Sequence, residues 1–236
     1  EGEVSSKLGL TGWPAVAEEA IIARDILLAE HVGSRLHICH LSTAGGVELI
    51  RNAKRRGVKV TAEVTPHHLL LDENLIVGYD PIFKVNPPLR TERDVMALRS
   101  ALADGTIDIV ATDHAPHPAE DKDCEWQAAA FGMVGLETAL SVVVKAMADF
   151  KEFGWEEIVN VMSRNPAKIG KYKNQGGEIT SGFTANLVIL DTSAKWQVDR
   201  NRLASKSKNT PFDGMELPVR VMATVFNGDI SYEVGK

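Results

Sequence analysis

Cysteine is scarce in this sequence. Cys39 and Cys124 are the only two among 236 residues, too few for a disulfide framework. A chain of this length can bury enough apolar surface to do without one, and so low a count fits a reducing, cytoplasmic setting. Long hydrophobic runs are also lacking: no stretch approaches the roughly 18 apolar residues of a membrane span. Cationic residues are outnumbered, 26 Lys and Arg against 32 Asp and Glu for a net charge of −6. That balance excludes a general nucleic-acid surface, which needs clustered cations. The compact basic run Lys54-Arg55-Arg56 falls at the end of an expected helix, where cations complement the dipole. The chain opens Glu1-Gly2-Glu3 rather than with methionine, and the expectation is that a segment precedes it.

What is present alternates between helical and extended patterns. Residues 14–32 predict a helix: Pro14 suits a first turn, and Val16, Ala20, Ala23 and Leu27 recur at helical spacing. A strand follows, Leu36-His37-Ile38-Cys39-His40, then a helix from about Ala44 to Arg56 that Gly57 stops. Val58 to Val64 reads as a second strand and Ile107 to Thr112 as a third. Before that third strand, Thr91 and Asp94 resemble a capping box. Further helices are expected near Glu137–Phe150 and Trp155–Met162. Alternating strands and helices imply a parallel sheet. After about residue 172 glycines punctuate short strands at Leu187–Leu190, Trp196–Val198, Val219–Phe226 and Ile230–Glu233. The expected division is an α/β part over residues 1–172 and a small β-rich part over 173–236.

The ionisable residues gather where strands end: His40, His67, His68, Asp113, His114 and His117. In α/β barrels and doubly wound sheets alike, that end carries the site. Side chains alternate along a strand, so His37 and Cys39 are expected on one face and Ile38 and His40 on the other. A carboxylate closing an apolar strand, as Asp113 does, is costly to bury unless a metal or donors satisfy it. Capping of local amides is the plain alternative for an Asp in a turn. His40 and Asp113 on separate strand ends could share a divalent ion, and imidazole with carboxylate suits hydrolytic zinc.

Thr112-Asp113-His114-Ala115-Pro116-His117 and Lys84-Val85-Asn86-Pro87-Pro88-Leu89-Arg90 resemble the signature of the dihydroorotases within the amidohydrolase superfamily. His37-Ile38-Cys39-His40-Leu41-Ser42, Ala62 to His68, Phe131 to Thr138 and Ser205 to Phe212 are similar to the same family, in order through the chain. The resemblance implies a (β/α)8 TIM barrel with two zinc ions at its C-terminal face, followed by part of a small β-rich domain. It places His40 and Asp113 as zinc ligands, with Asp113 also the proton-transferring catalytic residue. Asn86, His117, Phe131 and Gly132 match positions that hold the substrate ring and its carboxylate. For His37, His67, His68 and His114 a structural role is preferred, with His67 the foremost exception. The implied reaction is reversible cyclisation of N-carbamoyl-L-aspartate to dihydroorotate in pyrimidine synthesis.

A complete barrel takes typically ~250 residues, and this sequence offers three barrel strands before the β-rich region. The family's His-x-His pair and fifth-strand ligands have no match in it. The expectation is therefore the C-terminal part of such an enzyme, inactive alone and completed by an N-terminal segment, with a homo-oligomer or aspartate carbamoyltransferase as possible partners. The alternatives are an allantoinase- or hydantoinase-type cyclic amidohydrolase, and a catalytically dead scaffold beside aspartate carbamoyltransferase.

Overall fold

The chain's structure, a computed structural model, describes residues 1–235. A short helix α1 (Glu3–Leu8) precedes α2 (Ala15–Val32), for which Pro14 is the N-cap in extended conformation. The core face of α2 is Ile22, Ile26 and Ala29. Val16, Ala20 and Leu27, placed on the apolar face by the sequence pattern, are exposed. The helix is apolar around most of its circumference, so its sequence does not single out one stripe.

Strand β1 (Leu36–Ile38), helix α3 (Ala44–Arg55) and strand β2 (Val60–Val64) follow as a βαβ unit with parallel strands. After β2 come α4 (Pro66–Leu70), two 3₁₀ turns at Glu73–Gly78 and Pro81–Phe83, α5 (Glu92–Ala103) and strand β3 (Ile109–Val110). The three strands form one parallel sheet in the order β1-β2-β3. Each strand is shorter than its apolar run predicts, because pairing stops where the chain turns into the strand-end loops. The Thr91–Asp94 capping box is present in full.

Alternation divides the sheet. Ile38, Val60, Ala62, Val64 and Val110 join a core with Ile50, Ala53, Leu98, Ala101 and Leu102 of α3 and α5. Thr61 and Glu63 alternate with those residues and so face the other side, where His37 of β1 meets both. The basic run at the end of α3 is paired rather than merely solvated: Lys54 binds Asp108 at 2.8 Å and Arg56 binds Glu30 at 3.1 Å.

Beyond β3 lie α6 (Ala119–Lys122), α7 (Ala139–Ala146), α8 (Trp155–Val159), a π-helical turn at Asn160–Arg164 and α9 (Asn165–Gly170). An antiparallel sheet then forms from β4 (Leu187–Gln197), β5 (Glu216–Phe226) and β6 (Asp229–Glu233). Asn227 and Gly228, both at positive φ, close the β5–β6 hairpin, as a tight turn requires. What reads in sequence as two strands, Leu187–Leu190 and Trp196–Val198, is the single irregular strand β4. Val198, Phe212 and Leu217 share a second core with Val85, Leu89, Met133 and Val142. Trp196 Nε1 donates to Val219 O at 2.9 Å and Ser141 Oγ at 3.2 Å, which fastens this sheet to α7.

Candidate metal and substrate site

His40 lies two residues past the end of β1, and its backbone is left-handed (φ 53°). That turn ends the strand's alternation. Instead of pointing opposite to His37, the His40 ring shares a partner with it: Glu63 Oε1 stands 2.8 Å from His40 Nδ1, and Glu63 Oε2 is 3.0 Å from His37 Nε2. The expectation that His37 and His40 lie on opposite faces is corrected here. Alternation holds only for extended backbone, and His40 has left it. His37 Nδ1 is 2.8 Å from Thr61 Oγ1, so both of its ring nitrogens are engaged by protein groups.

Asp113 arrives from the end of β3, again in left-handed backbone (φ 45°). Its Oδ1 is 3.6 Å from His40 Nε2. The structure thus brings together the two strand-end residues proposed from sequence as ligands. Among the described residues Asp113 caps no backbone amide. Burial raises its pKa, opposed by His40 and reinforced by Glu63. Burial also presses the Glu63 pKa upward, but hydrogen bonds from His37 and His40 prevail and hold it at about 2. Glu63 in turn raises the His40 pKa.

The remaining histidines divide cleanly. His68 is buried, with Nδ1 2.8 Å from Thr65 Oγ1 and Nε2 3.0 Å from Pro87 O. His114 Nδ1 accepts from Gly135 N at 3.2 Å and Leu136 N at 3.3 Å. His67 differs: its Nε2 is buried with no hydrogen-bond partner among the described residues. A cleft of about 370 Å³ runs beside His40, lined also by His37, Cys39, Asn86, Arg90 and Trp13. Arg90 is buried and binds Ser42 Oγ at 3.1 Å, Trp13 O at 2.6 Å and Glu18 Oε2 at 3.3 Å. It thereby fixes the turn that carries His40 against α2.

His117, Phe131 and Gly132 form a second group. His117 Nε2 lies 2.8 Å from Phe131 O. Gly132 has φ 130°, and a Cβ there would stand 2.5 Å from Ala115 Cβ and 3.0 Å from His117 Nε2. Asn209 Nδ2 donates to Ala115 O at 2.9 Å and Gly132 O at 3.3 Å. Asn86 lies in the cleft with His40, and Gly132 N donates to Lys84 O at 2.9 Å, so one short segment, 84–86, adjoins both groups.

The sequence pattern did not single out Glu63, Arg90, Lys84 or Lys122. A signal existed for Glu63, since a carboxylate between Ala62 and Val64 in an apolar strand raises the same burial question as Asp113. Whether zinc suits the residues present can be judged from the donors. An imidazole and a carboxylate face one another from the ends of β1 and β3, across β2, both are zinc-type ligands, and the buried His67 Nε2 lacks a partner among the described residues. They fit as part of a ligand set.

Parallel strand ends that present an imidazole and a carboxylate define the metal-dependent barrel hydrolases as a class. The amidohydrolase family profile matches residues 12–231, and the chain belongs to that family. It is 64% identical over 236 residues to a dihydroorotase of Streptomyces coelicolor, covering all of this chain and 55% of that protein. It is 52% identical to a dihydroorotase of Mycobacterium tuberculosis with the same coverage. Among solved structures it is similar to the L-hydantoinase (dihydropyrimidinase) of Arthrobacter aurescens. That match has a TM-score of 0.88 and 34% identity over 94% of this chain and 50% of that one. The chain therefore spans about half the length of the relatives it matches. The likeness bears out the expected fold, part of a TIM barrel followed by a β domain. No described helix is long and apolar enough to cross a membrane.

Proposed function

We propose that this chain supplies the C-terminal half of a cytoplasmic dihydroorotase, with residues 1–172 in the barrel and 173–236 in the small β domain. The reaction is the reversible interconversion of N-carbamoyl-L-aspartate and (S)-dihydroorotate in pyrimidine (UMP) biosynthesis. The observation that carries this reading is the 3.6 Å approach of His40 Nε2 and Asp113 Oδ1 from the ends of β1 and β3, the two strands that flank β2, within a sequence 64% identical to a dihydroorotase.

His40 and Asp113 would hold zinc, two ions per site, together with ligands from the rest of the polypeptide. Zinc, when bound, polarises a carbonyl and lowers the pKa of water to about 7. Asp113 Oδ1 accepts the proton of the attacking water as its oxygen bonds to the ring amide carbon, then passes it to the ring nitrogen as the C–N bond breaks. His117 and Asn86, with the backbone at Phe131 and Gly132, orient the ring and its carboxylate, which lowers the barrier by positioning. The rest of the polypeptide is the first partner this chain needs; a homo-oligomer or a complex with aspartate carbamoyltransferase is compatible with it.

The hydantoinase likeness supports the fold, and its lower identity, 34%, leaves dihydroorotase the better substrate assignment. The test is turnover by the full-length, zinc-loaded protein of dihydroorotate, hydantoin and allantoin. Loss of dihydroorotate absorbance is expected. Hydrolysis of hydantoin or allantoin with dihydroorotate untouched would overturn the assignment, and inactivity on all three would favour the scaffold.

A further inference from the structure

Two lysines are buried directly behind the Phe131–Gly132 segment. Lys122, the last residue of α6, is 7% exposed and Lys84 is 8% exposed. Lys122 Nζ donates to three carbonyls, Ala130 O at 2.9 Å, Gly132 O at 3.0 Å and Lys84 O at 3.3 Å. Lys84 Nζ donates to Trp126 O at 2.7 Å and Gln127 O at 3.0 Å, and sits 4.6 Å from the centroid of the Phe131 ring. Every polar contact of both ammonium groups is thus a neutral carbonyl or a ring face. The ion pairs of the described residues include neither lysine.

Burying cations is costly unless an opposite charge compensates them. A single lysine on three carbonyls could serve only as a staple. Two like charges under one segment are a poor way to build a staple, because each disfavours the other. Burial foremost, and then Lys84, lowers the Lys122 pKa to about 8, with Asp80 and Cys124 acting weakly the other way; burial also lowers that of Lys84. Among the described residues no carboxylate lies within ion-pair distance of either ammonium, which leaves positive charge that an incoming anion can answer. The backbone in front of it, Phe131 and Gly132 beside His117, is the segment assigned above to the substrate.

We propose that Lys84 and Lys122 form an electrostatic platform beneath the Phe131–Gly132 segment that selects a ring bearing a carboxylate over a neutral ring. The proposal rests on the dihydroorotase reading of the site and adds the source of its anion preference. Both lysines act through the segment they underlie, as positioning and specificity residues.

The test uses the full-length protein and measures KM for dihydroorotate against salt concentration. In the parent protein KM should rise with salt, since a charge-driven contact is screened. Lys122→Met should raise KM about tenfold at low salt, the order expected for one charge at short range, while kcat stays within about twofold. It should also flatten the salt dependence. Lys122→Arg, which keeps the charge, should keep the salt slope. If Lys122→Met fails to fold, Lys84→Met is read by the same criteria. An unchanged KM, or a raised KM with the parent's salt slope, would mean that the lysines are structural staples and would overturn the proposal. An inactive parent would overturn the functional reading instead. Calorimetric binding of N-carbamoyl-aspartate to the same variants, at low and high salt, would then decide the platform.

Discussion

Glu63 Oε1 stands 2.8 Å from His40 Nδ1, and through its other oxygen the same carboxylate holds His37 at 3.0 Å. His40 therefore presents Nε2 toward Asp113 with its opposite nitrogen already occupied by a negative charge. Carboxylates placed behind ligating histidines fix the ring and raise its basicity, and removing them typically costs about 10–100-fold in metal affinity. Glu63→Gln in the full-length protein should accordingly weaken zinc binding by about tenfold or more, measured by chelator competition, and should lower the melting temperature as well, since the charge that holds His37 and His40 is lost. Zinc affinity equal to the parent's would show that Glu63 serves only the packing of β2.

Asp113→Asn keeps the shape of the side chain and removes its charge. It should abolish turnover in the full-length protein while circular dichroism stays that of the parent. Near-normal activity would remove Asp113 from the mechanism.

The segment around Gly132 makes a different demand. Gly132→Ala places a methyl 2.5 Å from Ala115 Cβ on backbone at φ 130°, and should displace His117 and raise KM. His117→Ala should raise KM as well, without loss of metal. Stoichiometric zinc loss in His117→Ala would make that residue a ligand or the support of one.

Acid sensitivity has a defined origin in His68. Burial lowers its pKa from 6.5 to about 4. Between those values the unfolded chain binds a proton that the folded chain refuses, so stability falls as pH drops through that window, by ~1 kcal/mol per pH unit. Glu63, held at about 2 against an ordinary 4.5, contributes fully above pH 4.5 and is lost only below it. Urea unfolding from pH 7 to 4 should show the histidine slope, and His68→Asn should reduce it, leaving the part that the likewise buried His67 supplies. A parent protein of constant stability across that range would contradict the buried neutral imidazole.

Residues 1–236 expressed alone should associate. Among the described residues β1 pairs only with β2, leaving one edge open, and α2 exposes Val16, Ile21, Leu27, Leu28 and Val32. Open edges and contiguous apolar patches favour aggregation. Sedimentation velocity should show self-association and metal analysis should find fewer than two zinc ions. A monodisperse, two-zinc, active chain would refute the proposed dependence on the rest of the polypeptide.

Much of this was legible in the sequence, for reasons that differ by residue. Thr91 and Asp94 announced their helix because capping is local chemistry. The parallel pairing of the three strands followed from alternation of strand and helix patterns, though their order did not, and Asp113 was conspicuous as a charge ending an apolar run. The facing of α2 was not legible, because several apolar stripes compete and tertiary packing chooses Ile22, Ile26 and Ala29. The His40 side was misplaced because alternation was carried one residue beyond the extended backbone. Nothing in the acidic stretch Glu120-Asp121-Lys122-Asp123 marks Lys122 for a role. Only the fold brings the carbonyls of Lys84, Ala130 and Gly132 around it.

His40 and Asp113 share left-handed backbone, at φ 53° and 45°. Outside glycine, that conformation is best tolerated by Asn, Asp and His, a set made up largely of metal-binding or proton-carrying side chains. The conformation itself therefore narrows the mutational neighbourhood of both positions. Variants that fold well there are drawn from residues resembling the originals, while β-branched replacements are penalised before chemistry is considered. A saturation library read separately for abundance and for activity should show this as two filters. The first, set by the main chain, admits glycine, Asn, Asp and His, and only the second distinguishes among them.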